Sequence, residues 1–205
     1  MPSPNKKVFF ANYVFYVLGH VYEPAEDSFL FAENLTVKKG ENVLDMGTGC
    51  GMLGIVAAEK AAKVVAVDIN PYAIRCAKEN AKLNGVADKM FFVQGNLFTP
   101  IKTEEKFDLV LFNAPYLPSE PSEDKSWLEC AWAGGVGGRR VIDSFICEVP
   151  QYLKRSGRVL LMQSTLSGVD ETLEGLAEKG LEASIIAERD LPFFETIVLF
   201  KARWK

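Results

Sequence analysis

The stretch that decides the fold is Asp45-Met-Gly-Thr-Gly-Cys-Gly-Met-Leu-Gly54, whose glycines stand at positions 47, 49, 51 and 54. It follows an apolar run at 42–46, which predicts a buried strand, and it precedes a helical pattern at 52–60. In open sheets built of such strand-helix units, ligands bind at the carboxyl ends of the strands. The stretch therefore predicts a ligand site where the first strand of an α/β sheet turns into a helix.

From residue 41 onward, apolar runs alternate with helical patterns. The predicted strands cover 42–46, 64–68, 90–94, 107–112, 159–162, 181–187 and 196–200. The predicted helices cover 52–60, a segment from the Asn70 cap and Pro71 to Gly85, one that runs from Val141 to a break at Pro150, and one from a Ser167 cap to Gly180. Such alternation requires parallel pairing with helices on both faces. The connection at 189–192 is too short for a crossover helix, so the last two strands should be antiparallel.

The sequence thus predicts a single-domain, Rossmann-like α/β fold. Its sheet has seven mostly parallel strands and an antiparallel C-terminal strand. Residues 41–205 form the predicted domain, and residues 1–40 form an N-terminal extension that packs on its core. Lys6-Lys7 before the apolar segment 8–18 faintly resembles a secretory leader, but no small-residue cleavage site follows. Strand or hairpin packing is the preferred interpretation.

Composition excludes several classes of function. The chain has 205 residues, a net charge of −4 and a single histidine, His20. The acidic balance disfavours a protein that binds nucleic acid by its own field. One histidine excludes a multi-histidine metal site, and the four cysteines form no CxxC pair, so no metal site is predicted. Reduced cysteines indicate a cytoplasmic protein.

Two ligands compete for the glycine turn. The spacing Gly49-x-Gly51-x-x-Gly54, with Asp68 further on, matches the dinucleotide fingerprint. However, the turn already starts at Gly47, and the Asp45 carboxylate would repel a pyrophosphate. The predicted antiparallel strands at the C-terminus also take the place of the second mononucleotide-binding half that a dinucleotide-binding fold contains. A ligand with an ammonium and a sulfonium group would instead be attracted, which favours S-adenosylmethionine, with Asp45 near its amine and Asp68 on its ribose hydroxyls.

A second element, Asn113-Ala-Pro-Tyr116, follows the predicted strand 107–112. The Asn113 side-chain oxygen and the Ala114 carbonyl could accept the two hydrogens of a planar NH₂ group and so orient its lone pair toward a methyl donor. Tyr116 could stack on the planar group. Both protein amides and nucleic-acid bases carry such a group, so this element alone leaves either substrate open.

The two elements together resemble the N5-glutamine methyltransferases of the HemK/PrmC family, class I S-adenosylmethionine-dependent enzymes with an Asn-Pro-Pro-Tyr signature. The closer resemblance is to the archaeal and eukaryotic branch, which modifies the Gly-Gly-Gln loop of class 1 translation termination factors. It rests on Val21-Tyr-Glu-Pro-Ala-Glu-Asp-Ser28, on Ala131-Trp-Ala-Gly-Gly135 and on Gly138-Arg139. The resemblance runs from about residue 21 to residue 200 and implies the class I methyltransferase fold.

Site residues can now be assigned as expectations. The residues expected to bind the cofactor are Tyr22, Ser28, Asp45, Gly47, Thr48, Gly49, Asp68, Ile69, Asn96, Leu97 and Asn113. Those expected to act in catalysis or to hold the substrate are Asn113, Ala114, Pro115, Tyr116 and Trp132. By the resemblance, Tyr22 and Ser28 contact the methionine end of the cofactor, and Asn96-Leu97 reach its adenine. Two residues depart from the family pattern: Ala114 replaces a proline, and Asn96 replaces an acidic residue whose acceptor oxygen an amide can still supply.

The leading hypothesis is therefore methyl transfer from S-adenosylmethionine, with S-adenosylhomocysteine as product, to a protein glutamine amide. The alternative is an adenine or guanine amino group in a nucleic acid, and a third hypothesis is an inactive cofactor-binding scaffold. The resemblance implies a termination factor as partner and a small zinc-binding activator subunit that docks on the aromatic N-terminal stretch and apolar strands. The loop 118–140, with Trp127, Trp132 and glycines between 134 and 138, is expected to form a mobile lip, and Glu123-Asp124 to be solvated surface.

Overall fold

The central element is a seven-stranded β-sheet, seen in a computed structural model that describes residues 6–120 and 126–205. Within these ranges the strands are β1 (Lys6–Phe10), β2 (Tyr13–Val17), β3 (Asn42–Met46), β4 (Lys63–Asp68), β5 (Met90–Gln94), β6 (Phe107–Asn113), β7 (Leu153–Ser164), β8 (Leu181–Leu191) and β9 (Glu195–Trp204). The helices there are α1 (Glu26–Glu33), α2 (Met52–Ala58), α3 (Pro71–Leu83), α4 (Trp127–Cys130), α5 (Arg140–Glu148) and α6 (Val169–Glu178). No helix of the described residues is long and apolar enough to cross a membrane.

Strand order and direction confirm the predicted fold class. The sheet runs β5-β4-β3-β6-β7-β9-β8. Strands β5, β4, β3, β6 and β7 pair in parallel, whereas β9 lies antiparallel between β7 and β8. The last strand of the chain is thus inserted next to the edge, which a short hairpin connection from β8 permits.

The strand order reverses between β3 and β6. The chain builds outward from β3 to β4 and β5, then returns to place β6 on the other side of β3. In the register between these strands, Met46 lies opposite Phe112, so the carboxyl ends of β3 and β6 are neighbours. Such a switch point leaves a crevice where ligands of α/β sheets bind. The glycine turn after β3 and Asn113 at the end of β6 therefore meet at the carboxyl end of these two strands.

The central strands are apolar along their length because helices cover both faces of the sheet. In β3 and β6, side chains such as Leu44, Leu109 and Leu111 are fully buried. Full burial of a leucine side chain contributes about 1.5–3 kcal/mol relative to exposure. A parallel strand covered on both faces reads as a continuous apolar run rather than as an alternating one, as the 42–46 and 107–112 segments do.

The hairpin β1–β2 packs against the core through α3. Two asparagines of α3 pair with β2 much as a neighbouring strand would. Asn80 Oδ1 accepts from the Tyr16 N–H (2.9 Å) and its Nδ2 donates to the Tyr16 carbonyl (2.9 Å). Asn84 makes the same pair of bonds to Val14, at 3.1 and 2.9 Å. With Phe15 fully buried between them, this arrangement satisfies backbone groups of β2 that a lone hairpin would leave to water.

The helix α3 begins as the sequence predicts. Asn70 is its N-cap, with Oδ1 accepting from the Tyr72 N–H at 2.9 Å, and Pro71 is the first helical residue. The predicted stop at Pro150 is also seen, since α5 ends at Glu148 and continues only as a short 3₁₀ turn.

The cap predicted at Ser167 is wrong. Gly168 holds the N-cap position of α6 with φ +70°, and the Ser167 hydroxyl instead donates to the Ser164 carbonyl (2.9 Å) inside a 3₁₀ turn. The backbone before α6 needs a left-handed residue, which glycine adopts without steric cost.

Three strands are longer than predicted. Strand β7 begins at Leu153 rather than at residue 159, and β8 and β9 extend to Leu191 and Trp204. The extra residues are largely polar. Those of β8 and β9 pair with each other, whereas β7 begins where Leu153 pairs with Phe107 of β6. Backbone hydrogen bonding to a distant neighbour thus overrides the local apolar pattern.

Candidate functional site

A cavity of about 770 Å³ lies at the carboxyl ends of β3, β4 and β6. Its size is within the range of small-molecule sites. The predicted site residues that line it are Tyr22, Ser28, Gly47, Thr48, Gly49, Asp68, Ile69, Asn96, Leu97, Asn113, Ala114, Pro115, Tyr116 and Trp132. Segments far apart in the sequence therefore meet around one space, as the switch point of the sheet requires.

The glycine turn forms one wall of the cavity. Gly47 has φ +64°, and a Cβ added there would lie 3.3 Å from the Phe112 ring. Gly51 is the N-cap of α2 with φ +90°, and its added Cβ would lie 3.0 Å from the Ala77 Cα. The first glycine allows the backbone to turn beside β6, and the second allows α2 to approach α3. The backbone of the turn is therefore open to close approach by a ligand.

Asp45 lies beneath this turn and does not line the cavity. Its Oδ2 accepts from the Thr48 hydroxyl (2.5 Å) and from the Gly54 N–H (3.0 Å). Burial raises the pKa of the Asp45 carboxyl to about 7, although both donors act in the opposite direction. The carboxylate thus fixes the turn from below, while Thr48 stands between it and the cavity. Contact of Asp45 with a ligand amine, directly or through water, is expected from the sequence and stays a prediction.

Asp68 stands at the end of β4 and does line the cavity. Its two oxygens accept from the Asn70 N–H (2.9 Å) and from the Gly49 N–H (2.9 Å). Burial raises the pKa of Asp68, and these backbone donors counteract part of that rise. Because the second bond comes from the glycine turn, Asp68 links the ends of β3 and β4. Its remaining lone pairs are left for a ligand.

Asn113 presents an unused acceptor. Its Nδ2 donates to Asp27 Oδ2 (3.0 Å) and to the Ser28 hydroxyl oxygen (3.4 Å). Its Oδ1 is the one buried side-chain nitrogen or oxygen without a hydrogen-bond partner in the described parts of the chain. The opposite orientation of the amide would bring its oxygen against the Asp27 carboxylate, two acceptors in contact. The carboxylate therefore fixes which end of the Asn113 amide is left for a ligand.

Asp27 is the central residue that the sequence reasoning missed. It is buried at the start of α1, and its carboxylate accepts from the Tyr22 hydroxyl (3.2 Å), from the Ser28 N–H (2.6 Å) and from the Tyr116 hydroxyl (3.3 Å), besides Asn113. The Ser28 hydroxyl also donates to it (3.1 Å), and all five donors are neutral. The position in the first helical turn, where the helix dipole stabilises an anion, was a readable signal for a structural carboxylate.

The two tyrosines hold their protons firmly. Burial raises the pKa of the Tyr22 hydroxyl, and the negative charge of Asp27 raises it further. For Tyr116 burial is again the main cause of a raised pKa, followed by the charge of Asp27. Both hydroxyls therefore remain donors to Asp27 throughout the physiological pH range. Tyr116 is tied to α1, so its ring is fixed beside the Asn113 amide.

The loop after β6 is tied back to the cavity by backbone bonds. The Leu117 N–H donates to the Trp132 carbonyl (2.9 Å), and the Gly134 N–H donates to the Leu117 carbonyl (2.8 Å). A Cβ at Gly138 would lie 2.3 Å from the Tyr116 carbonyl oxygen. Glycine at 138 therefore allows the returning loop to lie directly against the Asn113-to-Tyr116 element. Residues 121–125, which include Glu123-Asp124, lie outside the described residues.

Similarity to known proteins agrees with this geometry. A family model described as ribosomal protein L11 methyltransferase (PrmA) matches residues 27–114. The chain is 47% identical over 181 residues to a Methanocaldococcus jannaschii protein that carries the name of a protein N5-glutamine methyltransferase. This match covers 87% of this chain and 90% of that protein. It is 35% identical to human methyltransferase HEMK2, over 82% of this chain and 83% of that one.

Among solved structures, the chain is similar to one from the Encephalitozoon cuniculi Mtq2–Trm112 complex, described as methylating the translation termination factor eRF1. The TM-score is 0.70 at 26% identity, and the match covers 91% of this chain and 99% of that chain.

Proposed function

The chain belongs to the protein N5-glutamine methyltransferase family, and we propose that it methylates the side-chain amide nitrogen of a glutamine in a translation termination factor, with S-adenosylmethionine as cofactor. The observation that carries the proposal is the buried, unpartnered Oδ1 of Asn113, a residue that lines the cavity. A buried acceptor without a donor costs about 1–3 kcal/mol, so a ligand that brings an N–H to this point is stabilised by it. The termination factor is inferred from the E. cuniculi relative.

The cavity suits a cationic cofactor. Asp27 and Asp68 line it and Asp45 lies beneath its glycine turn, and the hydrogen-bond donors to all three in the described structure are neutral. S-adenosylmethionine supplies a methyl group that is activated by a positively charged sulfur. We propose that Tyr22, Ser28 and the turn residues Gly47, Thr48 and Gly49 hold its methionine end, whereas the Asp68 oxygens accept from its ribose hydroxyls. Ile69, Asn96 and Leu97 border the remaining space for the adenine.

The chain contributes positioning to the reaction. A planar amide nitrogen is a poor nucleophile because its lone pair is delocalised, so the orientation of the NH₂ group decides the rate. We propose that Asn113 Oδ1 and the Ala114 carbonyl accept its two hydrogens, that Pro115 stiffens the turn and that Tyr116 and Trp132 flank the side chain. As the new N–C bond forms, the bond between the methyl group and the cofactor sulfur would break and leave S-adenosylhomocysteine, and the nitrogen would lose one proton to water. The role of Asp27 is to keep the Asn113 oxygen, not its NH₂ group, toward the substrate.

A cofactor-binding test separates this proposal from a dinucleotide site. S-adenosylhomocysteine at about 100 times its Kd should raise Tm by about 5–10 °C, since ligand binding of that strength adds about 2.7 kcal/mol to the folded state. NAD should leave Tm unchanged. The Asp68→Ala variant should lose most of the shift, whereas Asp88→Ala, an exposed aspartate outside the cavity, should keep it. A larger shift with NAD would contradict the cofactor assignment.

The substrate is tested by mass spectrometry. A class 1 termination factor and total RNA are incubated in parallel with the enzyme and labelled S-adenosylmethionine. We expect the label in one glutamine of the factor's Gly-Gly-Gln loop, because Asn113 and Ala114 would orient a flexible side-chain amide more readily than a stacked base. A factor with asparagine in place of that glutamine is the control and should remain unlabelled. Label in the RNA alone would identify the enzyme as a nucleic-acid methyltransferase.

We also propose a small zinc-binding activator subunit as a partner. The E. cuniculi relative is found in a complex with Trm112, which supports this inference. In this chain, large apolar side chains are exposed on the N-terminal hairpin and on the sheet-edge strand β5, where Phe9 and Phe91 are more than half exposed. Exposed aromatics on an edge strand leave an aggregation-prone surface that a bound subunit would cover.

A further inference from the structure

The turn that joins β8 to β9 exposes two phenylalanines completely. Phe193 and Phe194 have relative exposures of 95% and 103%. Both adopt left-handed backbone conformations, with φ +66° and +63°. Each such conformation costs about 1 kcal/mol or more for a bulky residue. Neither hydrophobic burial nor backbone preference within the fold explains these residue types, so the pair has the properties of a contact surface.

The phenylalanine turn lies at the same end of the sheet as the cavity, beyond the carboxyl end of β7. Strand β9 pairs with β7 so that Ile197 lies opposite Ser164, the last residue of β7. The β8–β9 hairpin continues past that point through the pairs Asp190–Thr196 and Leu191–Glu195. At about 3.4 Å per residue, these two pairs carry the turn about 7 Å beyond the end of β7.

Contacts with α1 place this hairpin beside the wall of the cavity. Arg189 of β8 donates to the carboxylates of Glu26 (2.7 Å) and Glu33 (2.9 Å) on α1, the helix that supplies Asp27 and Ser28 to the cavity wall. Glu195, which directly follows the phenylalanines, is near enough to Tyr22 and Tyr116 for its charge to raise the pKa of both hydroxyls. The phenylalanine turn therefore lies next to the part of the cavity wall that α1, Tyr22 and Tyr116 form.

We propose that Phe193 and Phe194 form a docking surface for the folded protein substrate, which presents an apolar patch next to its glutamine loop. This inference rests on the proposed function. A single glutamine side chain offers little contact area, whereas each phenylalanine buried in an interface contributes about 150–250 Å². The neighbouring Glu188, Asp190 and Glu195 are acidic, and the nearby Arg189 is already paired with two carboxylates. That charge disfavours an anionic lipid surface or a nucleic acid at the same place.

The test uses the double variant Phe193→Asn/Phe194→Asn. Asparagine adopts the left-handed region at lower cost than phenylalanine, so the variant should fold with an equal or higher Tm. With the whole termination factor, KM should rise by about 10- to 100-fold while kcat stays within about twofold, as expected when interface aromatics are removed. With a short peptide that contains the same glutamine, kcat/KM should not change. Leu83→Ser, which removes a half-exposed leucine at the end of α3, should leave both substrates unaffected.

Each other outcome overturns the inference. An unchanged KM for the whole factor would show that the turn does not touch it. Equal losses on factor and peptide would place the effect in the cavity itself. Two other measurements check other occupants. If KM is unchanged and the variant converts a wild-type dimer to a monomer, the turn binds a second copy of the chain. If KM is unchanged and the variant no longer binds vesicles of phosphatidylcholine and phosphatidylglycerol, the turn binds lipid. If the wild-type enzyme methylates RNA and no protein, the proposed function itself fails.

Discussion

Replacing Asn113 with alanine should lower kcat by about 10²–10³-fold, the range seen when one preorganised polar group is removed from an active site. The loss follows because the Asn113 Oδ1 is a buried acceptor left without a partner on a residue that lines the cavity, and alanine has no atom that could hold the substrate amide in its place. The Kd for S-adenosylhomocysteine should change by no more than about threefold, since the glycine turn and Asp68 remain. Single-turnover rates and calorimetric titration measure the two quantities separately.

The matched control is Gln151→Ala, which removes an exposed side-chain amide outside the cavity. It should leave kcat unchanged. A second variant, Asn113→Asp, keeps the size of the side chain but places a carboxylate against Asp27, and it should be as slow as the alanine variant because like charges there repel. If Asn113→Ala turned over at the wild-type rate, the element from Asn113 to Tyr116 would have only a structural role.

The sequence predicted the parallel part of the sheet well. Strands 42–46 and 90–94 begin and end at the predicted residues, because turn-forming residues border these short apolar runs. The β7–β9–β8 edge was predicted too short, since its outer residues are polar and are held by pairing between segments far apart in the chain. Pairing of that kind has no local sequence signal. The division of the chain at residue 40 stays a prediction.

The site was likewise predicted where its residues are contiguous in the sequence and missed where they are far apart. The glycine turn and the Asn113 element were readable because each is contiguous, and fold topology alone brings them together at the switch point. Asp27 was not identified, although it lies within the quoted segment that carried the family resemblance. Its importance comes from contacts with Asn113 and Tyr116, residues 86 and 89 positions away in the sequence. A hydrogen bond between such distant residues shows only in the folded chain.

Asp27 also changes how the site is understood electrostatically. A buried carboxylate with neutral donors alone is costly, and it is retained here at the start of a short helix beside the cavity. The cost is offset in two ways: the five hydrogen bonds stabilise the anion, and a cationic cofactor would stabilise it further. A stabilising effect on the fold is therefore not its main contribution. Its contribution is to the orientation of Asn113 and to the charge of the cavity.

Replacing Asp27 with asparagine should separate these effects and lower kcat by about 100-fold, comparable to the loss caused by a small misplacement of a reacting group. Asparagine at 27 can donate as well as accept, so the Asn113 amide is free to turn its NH₂ group toward the substrate, where an acceptor is needed. The Tm should stay equal or rise, because the variant no longer buries a charge. A residue with only a structural role would instead lose Tm and kcat together.

Glu26→Gln is the matched control for this prediction. It neutralises the adjacent carboxylate, which is exposed and paired with Arg189. An exposed ion pair contributes at most about 1 kcal/mol, so this variant should keep wild-type kcat and lose little Tm. Asp27→Glu keeps the charge but lengthens the side chain, and it should recover part of the rate if the carboxylate orients Asn113. An Asp27→Asn enzyme with kcat within about threefold of wild type would show that the amide holds its orientation without the carboxylate, and Asn113 would then act alone.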